Sequence, residues 1–230
     1  MSTPAITAFR ERVGGVAAEA AAARRDVVVL AVDGIPFDLA REAWAGAEVE
    51  RMTSVFPTTS SAAWLSSLTG MSVDEHGVPG VVFRPPGGDG ELVNLYEHHG
   101  PLCAAEPRNV FSDAAGHGLT PLAILGDLEP YDCSWRDLLL RDATPVAGHR
   151  FYTATPAGRP PLPAAELCAR VREALRSARA GAAPAFVWCF VEPDRHVHYH
   201  GYDAHVDELL AAIDGLAGEL AGEGVAVVAH

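Results

Sequence analysis

Three short segments concentrate oxygen and imidazole donors of the kind that hold metal ions or act on phosphorus. The first is Asp33, which directly follows the apolar run VVVLAV. A carboxylate there can bind a metal ion or cap the next helix. The second is Phe56-Pro57-Thr58-Thr59-Ser60-Ser61, where four hydroxyls gather ahead of the helical pattern AAWLSSLTGM. Hydroxyls at a helix start can cap it, or a nucleophilic hydroxyl can sit there while the backbone amides hold a phosphate. The third is Glu192-Pro193-Asp194-Arg195-His196-Val197-His198-Tyr199-His200-Gly201, directly after AFVWCFV. One Asp and three His within seven residues is the composition of a zinc or manganese site, though a solvated His-rich loop would read the same way.

The elements that must position these residues follow from the apolar periodicity. Val27–Val32 and Ala185–Val191 are unbroken apolar runs, as expected of strands buried on both faces. Further strands are predicted near Val49–Val55, at Leu122–Leu125 and at Val225–Ala229. Helices are predicted over residues 4–24, Phe37–Ala45, the segment from Ser60 to a glycine exit at Gly70, Asn109–Gly118, Ala164–Ala178 and Val206–Leu220. Val81–Tyr96, with its Pro-Pro-Gly-Gly-Asp-Gly centre, reads as a peripheral hairpin. The alternation predicts an α/β fold with a mostly parallel central sheet covered by helices on both faces, formed by one domain over residues 1–230. In such sheets ligands lie beyond the carboxyl ends of the strands, where all three donor segments fall. The proline-rich stretch 154–166 reads as a linker, a lid or a surface loop.

Composition narrows the partners. A formal charge of −13 over 230 residues argues against a nucleic-acid polymer or a membrane surface, each of which calls for a clustered basic face. An anionic substrate would then need local positive charge from metal ions or helix N-termini. Cys103, Cys133, Cys168 and Cys189 show no CxxC spacing and read as reduced core thiols. The N-terminal residues lack a leader-like pattern, and the expectation from that is a cytoplasmic protein. His98, His99 and His117 read as surface residues, and Asp207 and Asp214 as a solvated helix face.

Together the segments resemble the alkaline phosphatase superfamily, and within it the nucleotide pyrophosphatase/phosphodiesterase branch. The resemblance rests on Val32-Asp33-Gly34, on FPTTSSAAWLSSLTGMSVDEHGVPG at 56–80 and on EPDRHVHYHG at 192–201. It implies that Asp33 is a metal ligand. Aligning Phe56-Pro57, Thr69-Gly70 and His76-Gly77 places the nucleophile at Ser60, with Thr59 as the fallback. The P-D-x-x-x-H element falls on Asp194 and His198 as ligands of one metal ion, leaving His196 and His200 extra. Ser60-Ser61-Ala62-Ala63-Trp64 does not supply the C/S-x-P-x-R setting of the sister sulfatases.

The implied activity is that of a metal-dependent phosphohydrolase, cleaving small phosphate mono- or diesters through a phosphoseryl intermediate with two divalent ions, zinc or manganese. Ser60 would also lie on the metal. Two departures stand against the pattern. The branch carries a further Asp-His pair and a later His after the next strand, whereas GVAVVAH reaches only His230, itself a weak metal candidate. The expectation is therefore a fold lacking its C-terminal part: a truncated hydrolase, a chain completed by a second one, or a degenerate relative acting as a metal-binding or interaction domain. The Asn that holds phosphate in the branch has no counterpart in Val78-Pro79-Gly80-Val81; Asn94 is the nearby candidate, with a plain hairpin role as its other reading.

Overall fold

The computed structural model describes residues 3–85, 90–103, 107–148 and 163–230. A first helix, α1 (Phe9–Ala22), runs into β1 (Val27–Val32), followed by α2 (Phe37–Ala43), α3 (Ser60–Thr69) and the single turn α4 (Val73–His76). The chain then makes the hairpin β2 (Val82–Phe83) and β3 (Val93–Asn94), α5 (Val110–Gly116), β4 (Thr120–Ile124), α6 (Ser134–Leu139) and β5 (Thr144–Val146). It ends with α7 (Ala164–Ala178), β6 (Ala185–Val191), α8 (Asp194–His200), α9 (Ala204–Gly222) and β7 (Ala226–Ala229).

Five strands form one sheet in the order β5-β4-β6-β1-β7, and every pairing in it is parallel. All residues of β1 and β6 are buried, which explains why both read as continuous apolar runs. Their alternate side chains serve two separate cores. Val27, Val29, Ala31, Phe186, Trp188 and Phe190 face α1, α3, α5 and α6. Val28, Leu30, Val32, Val187, Cys189 and Val191 face α7 and α9. The register Val32↔Val191 brings the carboxyl ends of β1 and β6 level, so that Asp33 and Glu192 emerge side by side.

The segment Val49–Val55 is not a strand. Among the described residues its one β contact is a bridge between Ala5 and Thr53, closed by Ile6 N–H to the Thr53 carbonyl at 2.8 Å and Thr53 N–H to the Pro4 carbonyl at 2.8 Å. VERMTSV interleaves polar residues: Val49 and Met52 pack partly on the two cores while Glu50, Arg51, Thr53 and Ser54 are exposed, so no alternating face is buried as a sheet member's would be. The short strand β5 escapes sequence reading because it holds Pro145, which a strand tolerates only at an edge, and β5 is an edge. The hairpin forms as predicted, and Asn94 serves it: its side-chain oxygen accepts from Tyr96 N–H at 3.2 Å. Of the proline-rich stretch, residues 154–162 lie outside the described residues, while 163–166 lead into α7. All four cysteines are free, and Cys133, Cys168 and Cys189 are buried. No helix among the described residues is long and apolar enough to cross a membrane.

Gly70 ends α3 in the left-handed conformation, and α4 then returns His76 beneath it. The His76 imidazole is fully buried. Its Nδ1 accepts from Val78 N–H at 3.1 Å, so Nε2 carries the proton and donates to Ser66 Oγ at 3.0 Å. Burial pushes its pKa down to about 4, which keeps it neutral. His76-Gly77 is thus a strut that fixes the helix carrying Ser60.

Candidate active site at the ends of β1 and β6

Asp33 leaves β1 with its backbone N–H bonded to the Val191 carbonyl at 2.8 Å. Its carboxyl is raised to about 6, first by burial; Asp194 nearby pushes in the same direction, while the neighbouring Ser60 hydroxyl, the Gly34 amide and His198 oppose it. Oδ2 of Asp33 is buried with no hydrogen-bond partner. An unpaired carboxylate oxygen in a buried place is costly, and a cation would relieve that cost.

Ser60 is the first residue of α3. Thr59, its N-cap in backbone terms, turns its hydroxyl to Ser61 Oγ at 3.1 Å, and of the two nucleophile candidates it is Ser60 that acts on the Asp33 carboxyl. The start of α3 is held from the far side by Trp135, whose indole N–H donates to the Ser61 carbonyl at 3.1 Å.

Asp194 opens α8, and His198 lies one turn on. Asp194 Oδ1 and His198 Nε2 are 3.3 Å apart, with His198 exposed. The segment that composition suggests as a loop is therefore a helix, and the i,i+4 spacing is what puts the two donors on one face. Asp194 also packs on the turn after Asp33: a Cβ on Gly34 would stand 3.1 Å from the Asp194 Cα and 3.1 Å from its Oδ1. Gly34 has φ +76°, so both its conformation and its missing side chain are required. Tyr202 ties the same turn down, its hydroxyl donating to the Gly34 carbonyl at 2.8 Å.

The structure thus brings together all four residues predicted for the site, Asp33, Ser60, Asp194 and His198. In chemistry, the buried Asp33 oxygen and the Asp194/His198 pair fit a divalent ion. In number they fall short: among the described residues no group of three or more His, Cys, Asp or Glu side chains is placed to hold a metal ion. His230 does not join them. Its ring stacks on Phe9 at 3.7 Å and packs edge-on to Trp64, and burial lowers its pKa to about 4.

Several neighbours were not legible in sequence. Glu192 is buried and its carboxyl is raised well above the ordinary range by burial and by Asp127 and Asp33; its Oε2 accepts from Asp127 N–H at 2.9 Å. Tyr96 stacks on Tyr131 at 4.5 Å and meets Trp135 edge-on. Burial, Tyr131, Glu192 and Asp33 hold its phenol up at about 12. Tyr96 follows β3 and Tyr131 lies in an irregular segment, so neither has a periodicity that marks it. Of the histidines expected at the surface, His99 and His117 are exposed, whereas His98 is half-buried with Nε2 enclosed and unpartnered.

Gly34→Ala is expected to lower folding stability by about 1–3 kcal/mol. The substitution adds left-handed strain, and pushes α8, with Asp194 and His198, away from Asp33 by a few tenths of an ångström. Urea denaturation beside Gly14→Ala, where an added Cβ meets nothing within 4 Å, checks this; equal stability of the two variants would refute it.

Residues 27–222 match the model of a protein family described as type I phosphodiesterase / nucleotide pyrophosphatase. No curated protein matches the chain in sequence. Among solved structures, the chain is similar to murine ectonucleotide pyrophosphatase / phosphodiesterase 5, with a TM-score of 0.56 and 15% identity over 89% of this chain and 56% of that one. An inactive variant of the same murine protein, in complex with AMP, matches with a TM-score of 0.54 and 16% identity, over 86% of this chain and 52% of that one. At such identities the likeness is one of fold, and the chain spans about half the length of these relatives.

Proposed function

The chain belongs to the type I phosphodiesterase / nucleotide pyrophosphatase family, and we propose that it carries the nucleophile half of a metal-dependent phosphoesterase site. The observation that carries the reading is the Ser60 hydroxyl placed beside the buried Asp33 carboxyl, whose Oδ2 has no partner, at the start of α3 and next to a second carboxylate–imidazole pair. Asp33 would hold one divalent ion together with Ser60, and Asp194 and His198 would hold a second. Zinc suits these donors best and manganese is the alternative. Such ions, when bound, supply Lewis acidity toward the phosphoryl oxygens and lower the pKa of a nearby hydroxyl. Their remaining ligands would come from a completing segment or a second chain.

The residues of this chain then divide the work. The Asp33 carboxylate orients the Ser60 hydroxyl. Ser60 Oγ attacks phosphorus in line and gives up its proton to solvent, the bond from phosphorus to the leaving oxygen breaks, and the leaving alcohol or phosphate takes a proton from solvent. Water then cleaves the phosphoserine and regenerates the Ser60 hydroxyl. The amides at the start of α3 face the phosphoryl oxygens throughout. The murine relative binds AMP, and a small nucleotide or related phosphodiester is the substrate class proposed for this chain, acting in the cytoplasm.

With the site completed by such a segment or second chain, the expected result is EDTA-sensitive hydrolysis of bis(p-nitrophenyl) phosphate, restored by zinc or manganese, with about two ions bound per site. The shortage of donors among the described residues favours a second reading, a metal-binding or interaction domain without turnover. One ion or none bound, with neither the monoester nor the diester cleaved, would select it.

A further inference from the structure

The family pattern leaves His196 without a role, yet it is the one fully buried side chain of α8. A seven-residue helix cannot sustain itself, so what anchors it from outside decides whether it forms. Here the inward anchor is an imidazole. His196 Nε2 lies 3.0 Å from Asp203 Oδ1, and since a carboxylate only accepts, the ring donates. Asp203 is also the N-cap of α9, and the same Oδ1 accepts from His205 N–H at 3.1 Å. One carboxylate oxygen therefore satisfies an orphan donor at the start of a 19-residue helix and holds a 7-residue helix to it.

Packing alone does not account for the imidazole. Its Nδ1 is buried with no hydrogen-bond partner, a cost that Leu or Phe in the same space would avoid. The ring is set between His200, 4.9 Å away, and His205, 6.0 Å away, centre to centre. What an apolar residue could not supply is a directed bond that fixes the rotation of α8 about its axis. That rotation decides where Asp194 and His198 point, since they flank His196 at two residues on either side. The start of the helix is fixed by Asp194 against Gly34. Two fixed points, at its first and third residues and on different neighbours, set the rotation of the helix.

We propose that His196 is a positioning residue which, through Asp203, clamps α8 onto the cap of α9 and thereby sets the Asp194/His198 pair for its ion. The inference rests on the reading of that pair as metal donors. The test separates the clamp from the cap. Asp203→Asn keeps both functions, because its side-chain oxygen caps and accepts at the same reach. Asp203→Ser keeps the cap, but its hydroxyl is one bond shorter and falls away from His196.

Amide hydrogen exchange is measured over α8 and α9 in metal-free protein, and zinc affinity by competition with a chelator. In the serine variant α9 stays protected, α8 exchanges about tenfold faster, and zinc binding weakens about tenfold. The asparagine variant matches the parent in both. Unchanged α8 exchange in the serine variant overturns the clamp. Faster exchange with unchanged zinc affinity overturns the positioning role. A parent protein that binds no zinc refutes the metal reading instead, and the exchange result then decides the clamp alone.

Discussion

Ser60→Ala is expected to reduce hydrolysis of bis(p-nitrophenyl) phosphate by the protein on the order of 10⁴-fold or more, with bound metal nearly unchanged. The size follows from the role: a nucleophile that forms the covalent intermediate has no substitute at the same place, whereas a group that only assists leaves a larger remainder. Thr59 is the adjacent hydroxyl that could be mistaken for it. Its side chain is engaged with Ser61 at 3.1 Å, and its carbonyl accepts the first amides of α3, so it faces along the helix start and not toward Asp33. Thr59→Ala should therefore keep turnover within about tenfold of the parent, the cost of disturbing a cap. Acid quenching during turnover with a labelled substrate should leave phosphate on Ser60 and on no other serine. If Ser60→Ala turns over normally while Thr59→Ala does not, the register of the segment is off by one residue.

The parts of this molecule that were legible in sequence are those where a single force dominates. β1, β6 and α7 occur at the predicted residues because continuous apolar burial or a one-sided apolar stripe leaves no competing solution. The proximity of Asp33, Ser60 and Asp194 was legible because Asp33 follows a buried strand, Ser60 and Asp194 each open a helix, and the parallel register of β1 with β6 brings the strand ends together. α8 was not, since its inward side chain is a histidine: a helix anchored by a hydrogen bond has no apolar period to read. Tyr96, Tyr131 and Tyr202 reach the site from irregular or turn segments, where tertiary packing alone decides direction. The Val49–Val55 misreading has the converse cause, a run with strand-like residues but no alternating face to bury.

Asp33→Asn should stabilise the metal-free protein at neutral pH while abolishing its activity. The reasoning is one of proton linkage. The folded-state pKa of Asp33, about 6, lies above its ordinary value of 3.8, so between those two pH values the folded protein holds a proton that the unfolded chain has lost. Above pH 6 the folded state keeps an ionised, buried carboxylate, and the penalty is complete; below about pH 3.8 both states are protonated and it vanishes. A two-unit shift corresponds to roughly 3 kcal/mol at most. Asparagine has nearly the same shape but carries no charge to desolvate and none to repel Asp194. Urea denaturation in EDTA should therefore show the variant up to about 3 kcal/mol more stable at pH 7.5, with the two proteins converging near pH 4. His76 and His230, held neutral at about 4 by burial, lose stability as pH falls from 6.5 in both proteins alike, so they drop out of the difference. A variant no more stable than the parent at pH 7.5 would mean that Asp33 is not strained in the folded state. A gain there, reversed when zinc is added, would mean that the fold tolerates an unfavourable carboxylate which metal binding compensates.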